Sequence, residues 1–586
     1  MISSDDGQQA NWMKRLALSL TAVVLVYAGA LLCHRNFLPG TLGNLDSASK
    51  LWQVESLLHG QRHLTYPGAD IDPEYRFFPT PWAVTVDGKP YSVYFSLFTY
   101  ITYGAVRVMG RIGYNLVPLL ASFVTVLVMG ALMLRVGLLR KEDLWKAVGF
   151  LGICTPLVYY AVEVREHSVA AMFAAVSFLL VAEAVTRGAE EHNAVGGGRL
   201  AISGVMLALA AVTRGECYFL ALATGLAVVV FFLRHRGLRP ALVAGSAMFV
   251  GGVMTLALWF AVNPLSFQIQ RGLVEAVKKQ QRTFFFRFWR LLFSMSPGRT
   301  MVSILGGVNE TVVTIICGVV LVVALCLALL SGTRRTRLRH LATVFYMASL
   351  GLILGCWYEE GFVVVCPIAL TAAFLVRART AALSPTASLV FAASGLYLVL
   401  CWLLLPNAGA GQFGPRFLLP VLAPLCVVLY CLLKNHLQSH PSRWLGLLLA
   451  LALISGFTTE LKGILLSRHG AVLSKRVADT LRAVPSPLVF HRHAALYHAP
   501  EVLLDTRIFE ATSEQHLREF ADRLREHDVE TFTLLCHESH REKCVEMLAR
   551  ARLKVVEEHS FPFFSLAITV TRPLKSQTLM EKQANE

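Results

Sequence analysis

The chain is built around apolar runs of about twenty residues, the length that carries a helix across the roughly 30 Å hydrocarbon core of a bilayer. Runs at 16–34, 116–136, 146–162, 168–186, 198–213, 217–233, 240–260, 311–331, 341–357, 361–376, 386–405, 417–433 and 443–461 give thirteen expected spans. A soluble domain has no interior large enough to cover so many. Composition agrees: 55% of the 586 residues are hydrophobic and 16% are charged, against about 25% charged in soluble domains. The first run is long and no small-residue cleavage site follows it, so it is expected to remain as a span. Twelve cysteines over this length make no disulfide scaffold, and most, such as Cys154, Cys217 and Cys401, sit in apolar runs as small hydrophobes.

Lys and Arg total 54 against 38 Asp and Glu, a net +16. The location of that excess orients the helices. One set of loops holds Lys14/Arg15, Arg135/Arg140/Lys141/Lys146, Arg187/Arg199, Arg234/Arg236/Arg239, Arg334/Arg335/Arg337/Arg339, Arg377/Arg379 and Lys434/Arg443. The short loops opposite hold Arg165, Arg214 and Arg416. Positive charge collects on the cytoplasmic side, which puts the N-terminus inside. This holds only if the further apolar segment 92–110 does not cross, so that segment is read as interfacial or re-entrant. A basic excess spread along membrane loops also argues against nucleic acid as a partner.

Three outer pieces follow: a loop at 35–115, a loop at 263–310 and a tail at 465–586, leaving 1–464 as the membrane domain. The second loop carries seven Lys/Arg, and its FFFRFWRLLF stretch reads as a basic amphipathic helix lying on the membrane. In the tail, PLVFH, ETFTLLCH and the LKVVEEHSFPFFSLAITVTR stretch read as strands. EATSEQHLREFADRLREHD and REKCVEMLARAR read as helices, a small soluble α/β unit. Cys536 and Cys544 with His537 and His540 follow no standard zinc spacing; a surface disulfide or two free thiols fit better. The expected fold is thus mainly α, a polytopic helix bundle with a small C-terminal α/β domain.

Seventeen of the 38 acids lie in the tail, so each acid left in the membrane portion asks for a reason. Asp46 opens an amphipathic helix in NLDSASKLWQVESLLHGQRHL; it reads either as a helix cap or as a catalytic acid. DIDPEYRFF offers Asp70 and Asp72, with a turn before Pro73 as the structural alternative. VDGKPYS carries a D-G hairpin turn at Asp87–Gly88. Short outer connections place Glu163, Arg165, Glu166 and His167 in VEVREHS, Arg214 and Glu216 in AVTRGECY, Glu359 and Glu360 in CWYEEG, and Arg416 in NAGAGQFGPRFLLP. Singly, these are snorkelling interface charges. Together on one face, acids beside arginines suit a reaction with a base and an anionic leaving group.

At these residues the sequence resembles the multi-spanning GT-C glycosyltransferases, relatives of protein O-mannosyltransferases and bacterial aminoarabinose transferases. The matching elements are Asp46, the DGKPYS motif ahead of an apolar stretch, AVTRGE, LLFSMSPGRT at 291–300 and GAGQFGPRFLLPVLAP at 409–424. The likeness runs over about 35–465 in the right order. It departs after DGKPYS, where relatives carry Pro-Gly, after SPGRT, where Gly-Leu usually follows, and at CWYEEG, where many relatives carry an aromatic-Gly cluster. The resemblance implies transfer of a hexose or pentose, with inversion, from a polyprenyl-phosphate donor to an acceptor outside the cytoplasmic membrane. Asp46 would be the general base. Arg214 and Arg416 would hold the donor phosphate, with Arg165 or Arg299 assisting. Glu163, Glu166 and Glu216 would orient the arginines or bind sugar hydroxyls, and Asp70 with Asp72 form a second-choice acid pair. No cofactor is required, and metal use is open. A lipid transporter or flippase, and a non-catalytic envelope assembly factor, are the alternatives. A transporter needs ionisable groups at mid-span, whereas the acids here collect at helix ends.

Overall fold

The computed structural model describes residues 3–34, 45–79, 83–94, 96–190, 196–266, 384–405, 416–426 and 443–482. It also describes strands at 295–297 and 356–359, most of 487–571 and a few isolated residues. The expected span 361–376, nearly all of 311–331 and of 341–357, and the FFFRFWRLLF stretch lie outside the described residues. Helix α1 (Ser3–His34) is followed by α2 (Leu45–Leu58) and a two-stranded hairpin, β1 (Ala83–Val86) and β2 (Lys89–Ser92). Asp87 and Gly88 take φ of 50° and 73°, the left-handed pair a two-residue hairpin turn requires.

Next come α3 (Leu97–Met109) and α4 (Gly113–Arg135). At 13 residues, α3 is about 20 Å long, too short to cross alone. Gly110, at φ +67°, turns the chain between them. Leu51 and Val54 of α2, Phe98 and Val106 of α3, and Tyr114 and Ala121 of α4 form one core with Val164 and Val169. The segment 92–110 thus packs beside α2 and merges into the apolar stretch Leu97–Arg135.

The expected span 146–162 is not one helix. It is split into α5 (Leu144–Ile153) and α6 (Leu157–Val162). Pro156 lacks an N–H and disfavours helical backbone at Thr155, whose hydroxyl donates back to the Leu151 carbonyl at 2.6 Å. Helices α7 (His167–Glu190), α8 (Gly197–Thr213), α9 (Cys217–Arg236) and α10 (Leu238–Val262) follow. A Cβ on Gly204 of α8 would lie 2.1 Å from the Met248 carbonyl oxygen, and one on Gly251 of α10 would lie 2.1 Å from that of Ala201. Only glycine allows this approach, the usual device for close helix contact in lipid.

Strand β3 (Met295–Pro297) pairs antiparallel with β4 (Cys356–Glu359), which brings SMSP beside CWYE. Residues 356–357, expected to end a span, are therefore strand. Helix α11 (Pro385–Leu404) starts at an N-cap Ser384, which accepts from Ala387 N–H, with proline in the first turn. A shorter apolar helical segment covers Arg416–Cys426. Helix α12 (Arg443–Arg482) is 40 residues long, about 60 Å, and runs through 464–465, where the tail was expected to begin.

Among the described residues seven helical stretches are long and apolar enough to cross a membrane: Trp12–Cys33, Leu97–Arg135, His167–Thr186, Cys217–Arg236, Leu238–Val262, Pro385–Leu404 and Leu449–His469. Their outward faces are bare. Leu18, Phe249, Met254, Leu258 and Val262 are 65–70% exposed, an arrangement that only lipid or a partner makes tolerable. The chain is a multi-pass membrane protein.

The tail forms a five-stranded sheet of β5 (Leu488–Phe490), β6 (Ile508–Glu510), β7 (Thr531–His537), β8 (Lys554–Phe561) and β9 (Ser565–Thr571), in the order β6-β5-β7-β9-β8. The β5 pairings are parallel, and β9 runs antiparallel to β7 and β8. Helices α13 (Glu514–Glu526) and α14 (Arg541–Arg550) accompany it. Ser513 caps α13, and Leu517, Phe520, Ala521 and Leu524 are its buried stripe. Cys544 is fully buried in the tail's core.

That core is shared with the segment between α2 and β1. Tyr66, Ile71 and Phe77 pack with Val489, Phe509, Phe520 and Phe532, and Glu510 N–H donates to the Phe77 carbonyl at 2.9 Å. Arg507–Asp70, Arg76–Glu519 and Arg523–Glu74 ion pairs rim the contact. Exposed pairs add about 0–1 kcal/mol each, whereas truncating a buried phenylalanine costs about 3–5 kcal/mol. Phe509→Ala is therefore expected to free the tail for limited proteolysis in detergent, and Arg507→Ala to leave it as resistant as the native chain. Equal resistance in both variants would contradict the aromatic anchoring.

Candidate functional site

Four stretches distant in sequence converge: the first turns of α2, the 163–167 connection between α6 and α7, the 214–216 turn between α8 and α9, and the start of the Arg416–Cys426 segment. Lys50 on α2 forms an ion pair with Glu166, and its ammonium sits 4.4 Å from the centroid of the Tyr94 ring. The other oxygen of Glu166 lies 3.3 Å from Arg214 Nη1. Arg214 Nε donates to Glu216. Arg165 Nε lies 3.3 Å from Glu163 and also donates to Ser47 Oγ at 3.3 Å. Ser467 of α12 donates to the other Glu163 oxygen at 2.8 Å.

Arg214 and Arg416 meet over one ring. Their guanidinium carbons are 5.7 Å and 4.9 Å from the Phe417 centroid. Tyr397 of α11 holds that residue by donating to its carbonyl at 2.5 Å. Lys50, Glu163, Arg165, Glu166, Arg214 and Glu216 are each 9% exposed or less.

Charges buried this deeply are tolerated only when paired. Burial works against the Glu166 carboxylate, yet Lys50 and Arg214 outweigh it and hold the carboxyl below the ordinary glutamate range. Burial also works against the Arg214 charge, and Glu216 and Glu166 more than offset it. Lys50, Arg165, Arg214 and Arg416 face Glu163, Glu166 and Glu216, one positive charge in excess before Asp46 is counted. Such a cluster can hold an anion. Nη1 of Arg214 makes no hydrogen bond among the described residues, so a donor is available for one.

Of the residues singled out in the sequence, Glu163, Arg165, Glu166, Arg214, Glu216 and Arg416 lie in this cluster. Asp46 is the second residue of α2, within its first turn rather than ahead of it; its side chain lies outside the described residues, as does Arg299. The adjacent Ser47 is the residue that meets Arg165. Asp70 and Asp72 are not brought to the cluster. Asp70 pairs with Arg507 at 2.6 Å. Asp72 accepts from the Arg76 and Phe77 N–H groups at 2.9 and 2.8 Å and from the Tyr66 hydroxyl at 3.2 Å. Burial raises its carboxyl above the usual aspartate range, against the pull of those hydrogen bonds. Glu359 lies in β4.

The sequence reading missed Lys50, Phe417 and Ser467. Lys50 was accessible to it, since it stands four residues after Asp46, one helical turn along the same face. Among the described residues no group of three or more His, Cys, Asp or Glu side chains is placed to hold a metal.

No protein-family profile and no curated protein sequence matches the chain. Among solved structures it is similar to the Archaeoglobus fulgidus oligosaccharyltransferase in complex with Zn and sulfate. There the identity is 13% and the TM-score 0.48, over 94% of this chain and 72% of that one. It is also similar to ArnT from Cupriavidus metallidurans bound to undecaprenyl phosphate, at 12% identity and TM-score 0.48, over 94% and 97%. A third is the archaeal oligosaccharyltransferase AglB from Archaeoglobus fulgidus in complex with an inhibitory peptide and a dolichol-phosphate, at 12% and 0.42, over 93% and 74%. Likeness at this level bears on neither substrate nor mechanism, which rest on the side chains themselves.

Removing one member of the ion-pair chain should expose its cost. Glu166→Gln leaves Lys50 buried without a counter-ion and is expected to destabilise by about 3–5 kcal/mol, read as a lowered thermal midpoint in detergent. Adding Lys50→Met should restore most of the loss. A native midpoint in the single variant would show that the pair is not buried as described.

Proposed function

We propose that the chain is a membrane glycosyltransferase that moves a sugar from a polyprenyl-phosphate donor to an acceptor on the outer side of the cytoplasmic membrane. One observation carries this reading: Arg214 and Arg416, far apart in sequence, meet over Phe417 beside a buried ion-pair chain that reaches the helix of Asp46. Two guanidinium forks at one point suit a phosphate, and a lipid phosphate is the anion that bare apolar helices can deliver. The basic excess in the opposite loops supports the sidedness, with the N-terminus cytoplasmic and the tail outside.

In this mechanism Asp46 takes the proton of the acceptor hydroxyl as that oxygen bonds to the anomeric carbon. The bond from that carbon to the donor phosphate breaks, and its electron pair stays on the phosphate oxygen. Attack opposite the leaving group inverts the centre. Arg214 and Arg416 stabilise the charge that develops there, which requires cationic side chains and no metal. Glu166 and Glu216 fix the direction of Arg214, and Glu163 fixes Arg165. The polyprenyl phosphate is the second product.

A transporter reading draws on one observation. Glu460 is fully buried near the centre of the Leu449–His469 stretch, close enough to Tyr27 of α1 to act on it electrostatically, and buried acids at mid-span are a transporter feature. One experiment separates the two readings. Purified protein in nanodiscs is offered a panel of polyprenyl-phosphate hexoses and pentoses, and covalent transfer is followed. Asp46→Asn, nearly isosteric, should lower kcat about 10²–10⁴-fold, the usual worth of a general base. Arg214→Ala and Arg416→Ala should each weaken donor use about 10–100-fold, as expected for a lost charged hydrogen bond. Full transfer in Asp46→Asn would sink the base assignment. Passage of the lipid between leaflets with no covalent transfer would favour the transporter.

A further inference from the structure

The VEVREHS stretch supplies one buried side chain that this mechanism leaves idle. His167 opens α7 and is 2% exposed. Its ring stacks on Tyr160 with centroids 5.0 Å apart and planes 14° from parallel, so its direction is fixed. Among the described residues neither Nδ1 nor Nε2 has a hydrogen-bond partner. Nδ1 lies 3.8 Å from Glu166 Oε1, beyond hydrogen-bond length. Lys50, Arg165, Arg214 and Arg416 all lie within electrostatic reach of the ring.

Buried polar side chains nearly always find a partner, and each exception asks for an explanation. A neutral imidazole has one donor and one acceptor nitrogen. The Glu166 carboxylate beside Nδ1 favours the tautomer with its proton there. Nε2 is then a buried acceptor. Lys50, Arg165 and Arg214 are directed at carboxylates, and no donor of the described residues reaches Nε2, so a bound molecule is the group that can bring the missing donor. An ionised phosphate brings none, whereas a hydroxyl does.

We propose that His167 is a substrate-binding residue whose Nε2 accepts a hydrogen bond from a hydroxyl of the transferred sugar or of the acceptor. The assignment rests on the glycosyltransferase reading and deepens it, because a ring fixed by Tyr160 can accept from only one direction. His167 would thereby select for a hydroxyl at one position of the substrate.

The test uses the full-length protein in nanodiscs, titrated with polyprenyl phosphate and with a polyprenyl-phosphate hexose that it transfers. His167→Phe keeps the stack and removes both nitrogens, and His167→Gln returns an amide oxygen near the Nε2 position. If the hydroxyl belongs to the donor sugar, His167→Phe weakens the hexose-bearing lipid about tenfold more than bare polyprenyl phosphate, the worth of one hydrogen bond. His167→Gln then recovers most of it. If the hydroxyl belongs to the acceptor, the two lipids keep their relative affinities and KM for the acceptor rises about tenfold, again with recovery in the glutamine variant. Equal weakening of both lipids with an unchanged acceptor KM, or native behaviour of His167→Phe throughout, overturns the proposal. A native chain that binds no polyprenyl phosphate overturns the functional reading, and the proposal with it.

Discussion

The Lys50–Glu166–Arg214 chain of ion pairs joins a helix outside the apolar bundle to two turns at its end. Each of these charges would be expensive alone in a water-poor site, and each becomes tolerable only when α2, α7 and the α8–α9 turn are in register. The requirement runs both ways. Correct packing allows the charges, and the charges penalise incorrect packing. Asp46 sits one turn from Lys50 on the same helix, so its position is set by the same pairs. The glutamates also leave Arg214 aligned, with a nitrogen still able to donate.

A second set of contacts holds α2 from the other direction. Trp52, two residues after Lys50, stacks on Phe78 with centroids 5.1 Å apart, and its indole N–H donates to the Thr65 carbonyl at 2.7 Å. Phe78 meets Tyr66, and Tyr66 meets Phe509 of the tail. A continuous row of rings thus joins the tail's sheet to the helix of Asp46. The tail is attached twice, covalently through α12 and by packing against the segment between α2 and β1. The helix that carries the candidate base is accordingly gripped between the bundle and the tail.

What the sequence made legible was what local chemistry fixes. The Asp87–Gly88 turn and much of the strand–helix alternation of the tail follow from a few adjacent residues, although the first tail helix starts at Glu514 and Glu510, read as helical, ends β6. So did the arginines and glutamates of the short connections, because charge among apolar runs stands out. The break at Thr155–Pro156 was visible in principle, but the continuous apolar composition of 146–162 hid it. Strand β6 is three residues long and owes its existence to pairing with β5. The partner of Asp70 was not legible because it is not local: Arg507 lies more than 400 residues away and nothing near DIDPEYRFF announces it, whereas Asp72 accepts from the neighbouring Arg76 and Phe77 N–H groups, in keeping with the turn that Pro73 suggested. Lys50 was passed over although it stands one turn from Asp46, because only Glu166, more than a hundred residues away, shows what it pairs with.

The central claim is that this buried cluster holds a lipid phosphate. It is tested most directly by an experimental structure of the full chain with polyprenyl phosphate bound in a nanodisc. The account predicts the phosphate within hydrogen-bond distance of both Arg214 and Arg416, beside the Phe417 ring, with the Lys50–Glu166 pair intact. A phosphate bound elsewhere, with Arg214 and Arg416 untouched, would contradict it.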